Sequence, residues 1–249
     1  MRKPPYRLLL LFFPLAFFSP RLGAEEVILG SDYWPILSDS GLADGGQITE
    51  TIREAYQRVG MAINRVEMPW ARIQESILEP SSPIVGGYPF GKTTEREALY
   101  LFSEPVGSAT RYVYFNAAKP FSWESIDDMR GLRIGIVRGA VFGAYHEQLL
   151  AKIKEDPTFA VIDPAKDELT DFMKLAAGRI DICFCDETQA KYAIAKLPIE
   201  DRVKIKAAAK PIMEKALLYV IFRNDAEGKR LRDFLDAGLE GLDRPAVSQ

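Results

Sequence analysis

Gly131-Leu132-Arg133-Ile134-Gly135-Ile136-Val137-Arg138-Gly139 reads as an apolar strand over residues 133–137, with a glycine turn on either side. A continuous apolar run of this length, bounded by turn residues, suits a strand buried on both faces, as in a parallel sheet. Downstream, Gly139 precedes a helix with Phe142, Tyr145, Leu149, Leu150 and Ile153 on one face. A short strand at 161–162, a helix at 169–177 stopped by Gly178, a strand at 180–185 and a helix at 187–197 follow. Strands at 203–206 and 217–222 and an amphipathic helix at 226–242, with Leu231, Phe234, Leu235 and Leu239 inward, complete this part. Upstream, residues 27–30 form a strand, and Ile48, Ile52, Ala55, Tyr56 and Val59 recur at helical spacing until Gly60. A strand at 63–68, a helix from Pro69 to Leu78 and a strand at 83–88 give the order β-α-β-α-β, and a β-rich segment at 112–116 joins the two units. Such alternation implies α/β architecture, with mainly parallel sheets flanked by helices and a cleft between two units.

The 249 residues are 47% hydrophobic and 27% charged, an ordinary globular composition. Residues 1–24 differ: Arg2, Lys3 and Arg7 precede an apolar run at 8–18, and Leu22-Gly23-Ala24 closes it. The run is too short to span a bilayer and reads as a cleaved signal peptide, which places the protein in the periplasm. Its removal takes four basic residues from a formal net charge of −3. The resulting acidic balance argues against a nucleic-acid partner. Cys183 and Cys185, two apart on a strand, share a face at a spacing poorly suited to a disulfide, and read as reduced buried thiols. With His146 as the single histidine, no metal site and no cofactor are expected. His146 itself falls within a helix, where the surface is the default position.

Arg96 lies in the polar run Gly91-Lys92-Thr93-Thr94-Glu95-Arg96, where a lone arginine by position alone is a solvated charge. Its planar fork of donors also suits a carboxylate, more strongly inside a cleft. Gly139-Ala140-Val141-Phe142, read as the opening of a helix, offers free amides to an anion. Tyr33 and Trp34 stand in a proline-containing turn at a strand end, where α/β crevices form. With Trp70 and Tyr88 they offer an aromatic lining suited to a cationic or flat ligand group, whereas Tyr56 and Tyr100 read as core. Asp186 follows a strand and precedes a helix that it is placed to cap.

Thr93-Thr94-Glu95-Arg96 with Phe102-Ser103-Glu104-Pro105 resembles the T-P-E-R…F-S-x-P-Y signature of family 3 bacterial extracellular solute-binding proteins, which serve amino-acid ABC transporters. Four further segments resemble the family in order. They are Tyr33-Trp34-Pro35, the run from Gly131 to Gly139, Ala177-Gly178-Arg179-Ile180-Asp181 with Asp186, and the strand at 217–224. The variant Met68-Pro69-Trp70-Ala71-Arg72 is similar to a divergent branch. The resemblance implies a two-lobed type II periplasmic binding protein fold. Residues 25–115 and 214–249 would form lobe 1 and residues 116–213 lobe 2, joined by crossovers near 112–116 and 208–214. It also implies that Arg96 holds a ligand carboxylate and that Asp186 meets an ammonium group, a role that capping does not preclude. Ala140 and Val141 carry no hydroxyl where the family usually has Thr or Ser, a departure from the pattern of ordinary α-amino acid binders.

The expected function is therefore capture of a small polar, amino-acid-like solute by a monomer, for delivery to an ABC permease in the inner membrane. The alternatives are a stand-alone sensory protein and, because a few proteins of this fold are enzymes, a cyclohexadienyl dehydratase. No Ser-His-Asp or Cys-His constellation supports catalysis. Processing at Ala24 predicts that N-terminal sequencing of exported protein starts at Glu25; retention of Met1 would contradict it.

Overall fold

The computed structural model describes residues 25–141 and 143–242, so the expected signal segment 1–24 and Phe142 lie outside the described residues. Strand β1 (Glu25–Ser31), helix α1 (Gln47–Arg58), β2 (Met61–Glu67), α2 (Trp70–Leu78) and β3 (Gly86–Phe90) realise the first β-α-β-α-β unit. Next come α3 (Thr94–Leu99), β4 (Tyr100–Phe102) and β5 (Gly107–Asn116). The second unit contains β6 (Arg133–Val137), α4 (Ala144–Glu155), β7 (Val161–Ala165), α5 (Glu168–Ala176), β8 (Ile182–Asp186), α6 (Glu187–Ala195) and α7 (Ile199–Arg202). The chain then returns through β9 (Ile205–Arg223) to α8 (Ala226–Leu239).

The strands run β2-β1-β3-β9-β5-β8-β6-β7, with β4 added on β9. β1 is parallel to β2 and β3, and β6 is parallel to β7 and β8. β5 and β9 are antiparallel to their neighbours and to each other. Gly107, Ser108 and Ala109 pair with residues 216–218, whereas Tyr112, Tyr114 and Phe115 pair with Pro211, Ala207 and Lys206. Register shifts lie on both sides of Arg111, where the strand pair passes from the first core, with Leu218, to the second, with Val113 and Ile212. The expected strands at 203–206 and 217–222 are thus the ends of one strand of 19 residues. Pro211, which cannot donate to a ladder, is accommodated beside a register shift.

One core joins Leu29, Ile52, Tyr56 and Ile73 to Val220, Phe222, Leu231 and Leu235, so the last helix completes the lobe that the first strand begins. The second sheet buries both faces, one through Val113, Ile134 and Ile182, the other through Tyr114, Phe172, Cys183 and Cys185. Both cysteines are free and buried on one face, as their spacing requires. Asp181 accepts two bonds from the Arg133 guanidinium, at 3.0 and 2.8 Å, which lowers its pKa to about 2 and ties the start of β6 to the turn before β8.

Three expectations change. Helix α4 begins at Ala144, after Gly143 at φ +63°, rather than directly behind Gly139. Leu150 is exposed, and the buried stripe of α4 centres on Leu149. Phe234 of α8 also faces outward, with the Arg230 guanidinium 5.6 Å from its ring centre, while Leu231, Leu235 and Leu239 point inward.

Helices α1 and α8 touch backbone to backbone: a Cβ added at Gly238 would lie 2.0 Å from the Ala55 carbonyl oxygen. Tyr56 reinforces the contact by donating to the Leu231 carbonyl at 3.0 Å. Gly238→Ala must push the helices apart and should destabilise the protein by about 1–3 kcal/mol, the usual range for overpacking. Thermal melting reads this directly, and an unchanged midpoint would refute the close approach.

Candidate functional site

The turn after β1 is fastened by Asp32. Its Oδ1 accepts from the Tyr33 amide at 2.7 Å and its Oδ2 from the Trp70 amide, the first of α2, at 3.0 Å. This clamp sets Trp34 edge-on to Trp70 at 6.0 Å, and Trp70 edge-on to Phe90 at 5.3 Å. Arg96 sits beside this aromatic wall on α3, not in an exposed loop, because Thr93 caps the helix by accepting from the Arg96 amide. It is 5% exposed. Its guanidinium lies 4.9 Å from the Phe90 ring centre and donates to Gln74 Oε1 (3.2 Å), Gly91 O (2.9 Å) and Gly139 O (2.7 Å).

The Gly139 bond crosses between the lobes. Gly139 has φ +78°, and a Cβ there would lie 2.7 Å from the Ala71 amide nitrogen, so only glycine permits this approach. A second crossing bond runs from the Thr94 amide to Glu147 Oε1 at 2.8 Å. The expected anion site made of helix-start amides is not formed. Residues 139–141 precede α4 as a turn, the Ala140 amide donates to Val137 O, and the carbonyls of Gly139 and Val141 face the arginines. Ala140 and Val141 still line the cleft.

Three groups in or near the cleft were not singled out from the sequence. Arg111, on β5 opposite Asp186, donates to Val141 O at 2.6 Å and lies 5.4 Å from the Trp34 ring centre. It is the lone charge of β5, and that interruption is the signal that marks it. Glu168 opens α5 behind the Asp167 cap, where an acid looks like an ordinary complement to the helix dipole. Gln189 of α6 completes the wall. The cleft, counted with its open mouth, holds about 340 Å³. Burial raises the pKa of Glu168 to about 7, against the opposing pull of its own amide and of Arg111. Burial, followed by Arg111, lowers that of Arg96 to about 10.

Asp186 is 3% exposed and caps α6, its Oδ1 accepting from the Thr188 and Gln189 amides at 2.9 and 3.0 Å. It does not line the cleft, whereas Glu168 does. Trp34 and Trp70 both line it. Tyr88 instead points into the first core, fully buried with its hydroxyl donating to Thr49 at 3.2 Å. Tyr33 packs on Tyr192 at 5.5 Å and borders a neighbouring opening that it shares with Glu168 and Lys196. Phe142 lies outside the described residues. His146 is not a surface residue but half-buried in the adjoining groove.

No protein-family model matches the chain, and no curated protein sequence matches it. Its fold is shared with solved structures. An ancestral arginine-binding protein bound to arginine superposes with a TM-score of 0.69 at 17% identity, over 88% of this chain and 92% of the other. An amino acid ABC transporter substrate-binding protein from Streptococcus pneumoniae, bound to L-arginine, has a TM-score of 0.64 at 14% identity over 86% and 87%. A histidine kinase sensor domain with similarity to periplasmic binding proteins has a TM-score of 0.69 at 16% identity over 87% and 90%. The chain therefore shares the fold of these three proteins.

His146 reports the field of the cleft. Burial, then Arg96 and Arg111, depress its pKa to about 4. Its ordinary value is near 6.5, so between these limits the unfolded chain binds the proton that the folded chain refuses, and this group makes the protein less stable as pH falls from 6.5 towards 4. An NMR titration should find the imidazole neutral at pH 5.5. Half-protonation near 6.5 would remove the depression.

Proposed function

We propose that the protein captures a small polar, amino-acid-like solute bearing a carboxylate in the cleft between its lobes and delivers it to an ABC permease of the inner membrane. The observation that carries this reading is Arg96. A guanidinium almost wholly removed from water, donating only to amide and carbonyl oxygens, has no anionic partner among the described residues. Burying a charge is expensive unless an opposite charge meets it, and a carboxylate presents the two oxygens that a guanidinium fork accepts best.

The register shifts of β5 and β9 around Arg111 supply the hinge in this reading, with Val113 and Tyr114 beyond it packed in the cores of lobe 2 rather than in lobe 1, whose expected bound is residue 115. Export through the segment at 1–24 would place the protein in the periplasm as a monomer, where such a carrier operates. The fold neighbours support binding rather than catalysis, the three named being binding proteins and a sensor domain. A sensory role is the second reading, favoured by the sensor domain's similarity over nearly its whole length. Loss of solute uptake on deleting the gene supports delivery, whereas intact uptake with a lost response to solute supports sensing.

Arg96→Ala should weaken binding of a carboxylate solute found by a thermal-shift screen by about 30-fold to several thousand-fold, the range for breaking a buried charge pair. Lys154→Ala, on the far exposed side of α4, serves as the control and should stay within about 0.5 kcal/mol of the parent in stability. Unchanged affinity in Arg96→Ala would remove the residue on which the reading stands.

A further inference from the structure

Two guanidiniums, not one, line this cleft, and among the described residues neither is bonded to a carboxylate. Arg96 uses three of its five N–H donors, on Gln74, Gly91 and Gly139, and Arg111 uses one, on Val141. Their acceptors are all neutral. The acid expected to balance them, Asp186, caps α6 through its Oδ1 and bonds to neither guanidinium, its buried Oδ2 lying beside Trp34. Among the described residues, that leaves Glu168 as the single acidic residue lining the cleft, against two arginines.

The aromatic wall is also occupied. Arg96 lies over Phe90 and Arg111 over Trp34, so the ring faces suited to a cationic ligand already carry the protein's own cations. A ligand guanidinium or ammonium placed there would displace one of these contacts and meet like charge. An anionic group meets the reverse: two guanidiniums lining one cleft, with N–H donors left over from their neutral acceptors.

Resting on the solute-capture reading above, we infer that the solute carries two carboxylate groups, one held by Arg96 and the other by Arg111. Simple dicarboxylates and acidic amino acids share this chemistry, and Glu168 separates them. Around it stand Arg111 of β5, Asp32 behind β1, Asp186 at the end of β8, and Tyr33 and Lys196 of the neighbouring opening, with Asp167 and Asp171 beside it in sequence. In its protonated form Glu168 donates a hydrogen bond to a carboxylate; in its ionised form it accepts one from an ammonium group. With its pKa raised to about 7 by burial, both forms are reached at ordinary pH.

The test is calorimetry and thermal shift on the purified protein with malonate, succinate, glutarate, L-aspartate and L-glutamate, against butyrate, L-arginine, L-alanine, sulfate and phosphate. At least one two-carboxylate compound should bind 30-fold or more tightly than butyrate and L-arginine. Arg111→Gln should abolish that preference by weakening the dicarboxylate at least 30-fold, a far larger loss than it causes for butyrate. An unliganded melting midpoint within a few degrees of the parent shows that the variant is folded, and Arg111→Lys should restore part of the affinity. For a simple dicarboxylate, affinity should fall between pH 6.5 and 8.5, by at most about tenfold per pH unit, and Glu168→Gln should flatten the profile. For an acidic amino acid it should hold or rise over the same range.

L-arginine or L-alanine binding while every two-carboxylate compound is silent would overturn the inference and leave solute capture standing. Binding of sulfate or phosphate alone would overturn it in favour of a single anion shared by the two arginines. Unchanged dicarboxylate affinity in Arg111→Gln would overturn the role of Arg111. Silence across the whole panel, extended to an unbiased metabolite extract, would overturn both readings.

Discussion

The antiparallel pairing of β5 with β9 is the constraint on which the rest of the molecule depends. Each strand belongs to both lobes, so the two parallel sheets are stitched into one ladder and cannot separate without breaking it. The ladder's interruptions cluster around Arg111. The break in the pairing and one of the cleft's two cations therefore coincide. An arginine in the middle of a regular ladder would point to one face of a sheet; at a break in register it is free to reach Val141 and Trp34 instead.

Charge in the cleft is balanced over a short range, and each group is shifted by its neighbours. Burial is the largest influence on Arg96, His146, Glu168 and Asp186 alike. The two guanidiniums reinforce it at the imidazole, whereas Arg111 opposes it at the two acids, where desolvation remains the larger effect. A low local dielectric makes such couplings strong in either direction. Residues contributed by α3, β5, α4, α5 and β8 thus act on one another across the cleft, although they are distant in sequence.

Much of the architecture was legible because it rests on local periodicity. The apolar run at 133–137 became β6 with the same bounds, and helical spacing between Ile48 and Val59 identified α1 to within a residue at either end. Long-range pairing has no such local trace. Residues 203–206 and 217–222 look like two strands because the stretch between them contains Lys210, Pro211, Glu214 and Lys215, and only the partner β5 makes it continuous. The site shows the same division. Arg96, Trp34 and Trp70 stand in punctuated segments that draw the eye, and all three line the cleft. Tyr88 resembles them in sequence yet turns into the core, since strand alternation relative to the sheet decides which face it takes. Asp186 and Glu168 both precede or open helices, and the burial that separates the cap from the cleft-facing acid is a property of the assembled walls alone.

Chain order within the two cores has a consequence for how the protein is built. The core containing Val113, Ile134, Ile182 and Ile212 draws on one continuous span of chain, so it is available for folding as soon as that span is made. The other core needs Val27 and Leu29 from the beginning together with Leu231, Leu235 and Leu239 from the end. Its apolar surface stays unsatisfied until nearly the last described residue has arrived, and closing so long a loop carries an entropic cost that local contacts do not repay. The lobe encoded in the middle of the chain is thus set to form first and to serve as the template on which the one built from both ends is completed. A chain truncated before α8 would keep a foldable middle attached to a permanently unfinished N-terminal half.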